Sequence, residues 1–279
     1  MASRAVGRRL RLLGTDPAPA ERNARPSRRI AIRLGEVFVR RLAYVLVLAL
    51  CCVWFPQAAA AEPPNYSVNP NPVLFPKQSS PYGADMTTWG ERAAVWIVAQ
   101  PFAHNPLFDQ TGADCARAQQ GPVWFIPPIA GPRVFSGSRS CTIPFGKAIL
   151  LDIGHDLNDY PCPPAFGFEP APGESLYDFL IRTDLPIMNS VNELDVSLDG
   201  QPFSDVLGYR FISRRLLYFM GDPSMQAFDP CITGSSQPGI VDGFFMMFKP
   251  LDRGLHTIFV HGTNTFGDDK TFVYHLTIA

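Results

Sequence analysis

His256-Thr257-Ile258-Phe259-Val260-His261 and Thr271-Phe272-Val273-Tyr274-His275-Leu276-Thr277-Ile278 decide the fold class of this chain. In the first stretch Thr257, Phe259 and His261 alternate with Ile258 and Val260. In the second, Phe272, Tyr274, Leu276 and Ile278 fall on one face. Successive side chains of a strand point to opposite faces, so a period of two marks half-buried strands. Short apolar runs between turn residues extend this reading toward the N-terminus. They predict strands at Val123–Ile126, Lys147–Ile153, Glu193–Leu198, Tyr209–Ile212, Leu216–Met220 and Gly243–Phe248. Asp199-Gly200 is a tight-turn signal between two of them. Many short strands with Gly and Pro turns and few helices predict a mainly β fold. The expected architecture is a single β-sandwich, jelly-roll or immunoglobulin-like, with one or two flanking helices.

Two helices are expected. Thr88-Trp89-Gly90-Glu91 has the form of a capping box, and Trp89, Ala93, Trp96 and Ile97 follow at helical spacing up to Pro101. This places Trp89 and Trp96 in a buried stripe. Ser175–Leu185 forms the second, capped by Ser175, with Leu176, Phe179 and Leu180 inward and Pro186 as its stop.

The first 61 residues differ in kind from the rest. They hold eleven arginines and three acids, a net of +8, and leave 13 basic and 22 acidic residues, a net of −9. The apolar run Leu42 to Phe55 follows Arg40 and Arg41 and is too short for a membrane span, which needs about 20 residues. Pro56 ends it, and Ala58 to Ala61 supplies small residues for cleavage, so residues 1–61 read as a signal peptide cut after Ala61. Its leader is over-long, and a start near Leu34 or Val37 would give the usual length. A twin-arginine signal at Ser27-Arg28-Arg29 is the competing export route. Residues 62–84, rich in Pro, Asn and Ser, read as an extended linker, and 85–279 as the sandwich domain. The acidic remainder excludes a nucleic-acid partner, which would require clustered Lys and Arg. With the signal removed, no stable membrane span is expected and the product is soluble, secreted or periplasmic.

Cleavage removes Cys51 and Cys52 and leaves Cys115, Cys141, Cys162 and Cys231. An even number in an oxidising compartment reads as two disulfides. Three pairings exist, and Cys115–Cys141 with Cys162–Cys231 is favoured because strands near in sequence often pair.

Three groups of polar side chains could carry chemistry. Asp152, His155, Asp156 and Asp159 lie in what reads as a loop after a strand; His155 suits zinc, and the carboxylates suit calcium. The spacing lacks the alternation of a calcium loop, so a solvated loop is favoured and no cofactor is expected. His104, Asp109 and Asp114 resemble a base with its orienting carboxylate, but Asp109 and Thr111 are turn formers in their own right. His256 and His261 differ by five positions and face opposite sides of a regular strand, so they cannot share a metal. Phe244 and Phe245 are adjacent on a strand and point to opposite faces. One of them is therefore expected to be an exposed binding aromatic.

Asn105-Pro106 through Asp109, Thr111-Gly112, Cys115, Gln119 and Gly121-Pro122-Val123-Trp124-Phe125 form one block. Cys141-Thr142-Ile143-Pro144 with Gly146-Lys147-Ala148 forms a second, and Pro250-Leu251, Gly254, His256-Thr257-Ile258 with Thr271 to Thr277 a third. Together these resemble a family of uncharacterised secreted bacterial proteins, over Thr88 to the C-terminus. Pro127-Pro128 and Asp152 depart from its pattern. The resemblance implies export and a cysteine-containing β-sandwich and carries no catalytic residue. No nucleophile elbow or other catalytic constellation stands out. The expected function is therefore a non-catalytic, envelope-associated binding module for an extracellular ligand, with carbohydrate one class. A metal-assisted hydrolase using Asp152–Asp159 and a structural extracellular protein are the alternatives.

Overall fold

The computed structural model describes residues 69–279. Among these residues ten strands form two five-stranded sheets, and two α-helices flank them. In the first sheet, β1 (Val123–Ile126), β3 (Ala148–Asp159), β8 (Gln237–Phe248) and β6 (Arg210–Ile212) lie side by side, with β7 (Leu217–Phe219) also paired to β8. The second sheet runs β2 (Val134–Ile143), β10 (Asp269–Ile278), β9 (Gly254–Asn264), β4 (Val191–Leu198) and β5 (Gln201–Pro202). Most neighbours are antiparallel; β1 with β3 and β2 with β10 are parallel. The chain is a mainly β sandwich with flanking helices.

The interior follows from the alternation. Ile149, Leu151, Met246 and Phe248 of the first sheet meet Ile258, Val260, Tyr274 and Leu276 of the second in one buried cluster. The opposite face of the first sheet, with Leu150, Phe245 and Met247, is covered by α1 (Met86–Val98) through Trp89, Ala93 and Ala94. The first sheet is thus buried on both faces at β8, which explains a strand with no exposed residue. Phe244 is 4 % and Phe245 0 % exposed. Neither is a surface aromatic, because each face of β8 has its own covering layer.

β8 runs beyond the reach of the second sheet, and there α2 (Leu176–Met188) takes over the cover. Phe179 and Leu180 pack on Ile240. Ser175 caps this helix by accepting from the Asp178 N–H. Pro186 does not end it: the helix continues to Met188, since Pro186 forfeits a single backbone bond within the final turn. α1 also begins earlier than its sequence suggests. Asp85 is its cap, accepting from Thr88 N–H at 2.8 Å, so Thr88 stands inside the first turn. Residues 69–84 are docked on the sandwich, unlike a free linker: Leu74 is fully buried and bridges to Phe248.

Two elements are absent from the sequence reading. β2 is largely polar, and β5 is two residues long. β5 is joined to β4 by Asp199 and Gly200, both at positive φ (52° and 77°), as a tight hairpin turn requires. The signal-peptide reading of residues 1–61 lies outside the described residues.

Candidate functional site

The segment Asp152–Asp159 is the distal half of β3, not a loop. Its ladder with β8 shifts between Asp152 and Gly154, so Ile153 is a bulge. The bulge reverses the parity of everything after it. Asp152 pairs with Phe245, and His155 with Gly243, so both project to the face covered by α1 although three positions apart. His155 Nδ1 lies 2.7 Å from Asp152 Oδ2, and its ring stacks on Phe245 at 6.0 Å between centroids. Asp159 shares that face. Asp156 stands directly opposite Asp242 on the other face, beneath α2.

β1 pairs only with Ala148–Leu151 of β3. Beyond that point β3 has an open edge, and a cleft of about 310 Å³ lies along it. His155, Asp156, Leu157, Asn158 and Asp159 line it from the strand, and Phe166, Phe168 and Phe228 supply rings. Asp229 and the Cys162–Cys231 disulfide close one side. On the far side of β8, Val241 accepts from Ser213 N–H at 2.8 Å and donates to Ser213 Oγ at 3.0 Å. In an antiparallel ladder its partner Leu157 therefore turns its own N–H and C=O away from β8, toward the cleft.

Behind the cleft sits a cluster of carboxyls that the sequence reading missed in part. Asp184 of α2 is 0 % exposed, neither of its carboxyl oxygens has a hydrogen-bond partner, and the carboxyls of Asp156 and Asp242 are its charged neighbours. Arg210 grips Asp242 with two bonds, 2.7 Å from Nε and 2.5 Å from Nη2. Burial, with the charges of Asp156 and Asp242, pushes Asp184 up to about 10. Buried carboxyls placed this close cannot all ionise, and Asp184 is the one that keeps its proton near neutral pH. Burial also raises Asp156, against the pull of its contact with Asp184 and of His155. Asp159 is pushed up to about 8 by burial, then by Asp229 and Asp156. Burial opposes protonation of His155, but Asp152 and then Asp156 outweigh it and hold its pKa above the usual value. Near neutral pH Arg210 is paired with Asp242, His155 faces Asp152, and Asp159 and Asp184 hold protons.

Asp184 and Asp242 each leave a sequence signal. Asp184 occupies the stripe Phe179, Leu180, Thr183, Asp184, Ile187, Met188, which faces inward. Asp242 interrupts the apolar run Ile240 to Phe248.

The four residues Asp152, His155, Asp156 and Asp159 do not converge as a metal-ligand set, since Asp156 is on the other face of the strand and Nδ1 of His155 is taken by Asp152. Among the described residues, donors of three side chains come within 4.8 Å of one another at Asp159, Cys162, Cys231 and at Glu193, Asp195, His261. In the first set the cysteines are disulfide-bonded and offer no thiolate. Cys115 and Cys141 are the other disulfide, with Cα atoms 5.8 Å apart.

The remaining candidates have structural partners. Asp109 accepts from the N–H groups of Thr111, Gly112 and Asp114 at 2.8–3.0 Å and builds a turn. Burial opposes its ionisation, but these bonds hold its pKa below the usual value. His256 is held by Asp199 Oδ2 at 2.7 Å and the Asp252 carbonyl at 3.0 Å, a corner of the sandwich.

Neither a protein-family model nor a curated protein sequence matches this chain. Two solved structures share a local likeness. One is PbICP-C in complex with falcipain-2, at 10% identity and TM-score 0.24, over 57% of this chain and 100% of that one. The other is the solution structure of Amebosin, at 14% identity and TM-score 0.18, over 53% of this chain and 100% of that one. Among the described residues no helix is long and apolar enough to cross a membrane.

Proposed function

We propose that this chain is an exported, non-catalytic binding module of the bacterial envelope or its surroundings, and that the cleft beside β3 takes a carbohydrate. The observation that carries the reading is the composition of that cleft. Rings of Phe166, Phe168 and Phe228 stand beside carboxyls, of which Asp159 is pushed up to about 8 and holds its proton at neutral pH, and beside an outward-turned main-chain amide and carbonyl of a strand edge. Aromatic rings stack on the apolar faces of sugar rings. Neutral carboxyls both donate and accept, which suits hydroxyl groups. Export is supported by the apolar run Leu42–Phe55 with its alanine cleavage region and by two disulfides.

The metal-assisted hydrolase has less support. Asp156 lies on the opposite face of β3 from Asp152, His155 and Asp159, and His155 Nδ1 faces Asp152 Oδ2 at 2.7 Å, so the four side chains do not converge on one cation.

A glycan array probed with the purified protein tests the proposal. The expected result is retention of one class of glycan, with affinity at least about tenfold weaker in Phe228→Ala, which removes a half-exposed ring from the cleft rim. An array with no retained glycan, or equal binding by Phe228→Ala, overturns it.

A further inference from the structure

The two disulfides occupy different environments. Cys115 and Cys141 are buried in the sandwich interior. Cys162 and Cys231 are half-buried and line the cleft. A carboxyl oxygen of Asp159 and the sulfurs of Cys162 and Cys231 all lie within 4.8 Å of one another. The carboxyl is held in place: buried Gln237 donates from Nε2 to Asp159 Oδ2 at 2.5 Å and to the Cys231 carbonyl at 3.0 Å.

We propose that Cys162–Cys231 is a thiol-exchange site in which Asp159 protonates the departing Cys162 sulfur as an incoming thiolate attacks Cys231. The inference is independent of the ligand assigned to the cleft.

A thiolate of a dithiol reductant forms a bond to Cys231 Sγ. The Cys162–Cys231 bond breaks, and its electron pair passes to Cys162 Sγ, which takes the proton of Asp159. The second thiol of the reductant then displaces Cys231, its proton passing to the departing Cys231 Sγ, so the reductant leaves as a disulfide, the protein holds two thiols, and Asp159 regains a proton from solvent. Cys162 is the departing sulfur because its Sγ lies 3.8 Å from the Asp159 carbonyl, which can accept from the new S–H. A bare thiolate there would face Asp229 with no arginine or lysine in the cleft wall, so departure requires a proton. The titratable groups around Asp159 are His155 and Asp156 on its own strand and Asp229 on the loop that carries Cys231 into β8. α1 contributes Ile97 and Val98, and α2 Thr183 and Ile187. Desolvation and the neighbouring carboxyls keep Asp159 protonated up to about pH 8, so the proton is present near neutrality.

The test exposes the folded, oxidised protein to dithiothreitol, quenches with iodoacetamide and maps alkylated cysteines by mass spectrometry. Cys162–Cys231 is expected to open at least about tenfold faster than Cys115–Cys141, and, with glutathione in place of dithiothreitol, the first mixed disulfide is expected on Cys231. The rate constant per unit of reductant thiolate should be level at low pH and fall above about pH 8. Asp159→Asn should flatten that profile and slow opening at neutral pH by about tenfold. Equal opening of the two disulfides, or a level wild-type profile between about pH 6 and 9, overturns the proposal. Both of these readings come from the wild-type protein and stand even if Asp159→Asn does not fold.

Discussion

Asp184→Asn keeps the shape of a buried side chain and removes its charge, so it isolates what the carboxyl cluster costs the fold. In the unfolded chain Asp184 titrates near 3.8, and in the folded protein near 10. Between those values folding takes up one proton at this site. Its contribution to stability is full below the unfolded value and is lost progressively as pH rises toward the folded one. The loss runs at about 1.4 kcal/mol per pH unit. At pH 7 the accumulated cost is about 4 kcal/mol as an upper bound, because water reaching the ionised cluster relieves part of it. Asparagine avoids this cost. The variant should therefore be more stable than the wild type by about 2–4 kcal/mol at pH 7. The slope is the sharper measure. Between about pH 5 and 7 the fall of stability with pH should be shallower in the variant than in the wild type by about 1.4 kcal/mol per unit, the share of the one proton that Asp184 takes up. Urea titrations at three pH values, with disulfides intact and tryptophan fluorescence as the probe, give both quantities. An unchanged slope would show that Asp184 is not protonated in the folded protein, and the protonation drawn for the site would fail.

Two further substitutions probe the scaffold. Arg210→Met strips Asp242 of its counter-charge in a fully buried position and should cost about 3–5 kcal/mol by denaturant unfolding, whereas Arg210→Met with Asp242→Asn should recover most of it. Gly112→Ala places a Cβ 1.8 Å from the Ser140 carbonyl oxygen at a φ of +96°; calorimetry should show a loss of about 3 kcal/mol, or roughly 6–12 °C in Tm.

The legible parts of the fold were those whose information is local. β9 and β10 announce themselves by alternation, because one face is buried and the other is not. β2 does not, since five of its ten residues are glycine, serine or threonine and its partner β10 lies more than a hundred residues on. Its buried Arg139 reads as a surface residue, yet its guanidinium donates to the carbonyls of Pro106, Pro127 and Pro128 and lies over the Tyr274 ring. The aspartates of β3 were recognisable as a dense polar group, but their directions were not. A single extra residue at Ile153 decides them, and no periodicity announces a bulge. Phe244 and Phe245 failed as surface aromatics for a related reason: alternation says that they face opposite ways, not that both ways are covered. Asp184 and Asp242 required the packing of α2 on β3 and β8, which joins segments far apart in sequence.

The open edge of β3 also bears on solubility. An unpaired strand edge is a template on which another chain can add as a further strand and seed aggregation. Here β1 stops pairing at Leu151, and the bulge at Ile153 lies two residues later, twisting the exposed length away from a flat presentation. His155, Asp156 and Asp159 then line that length with ionisable groups. The side chains that furnish the cleft thus also guard it against other copies of the chain, so apolar replacements there would trade a ligand site for an aggregation-prone edge.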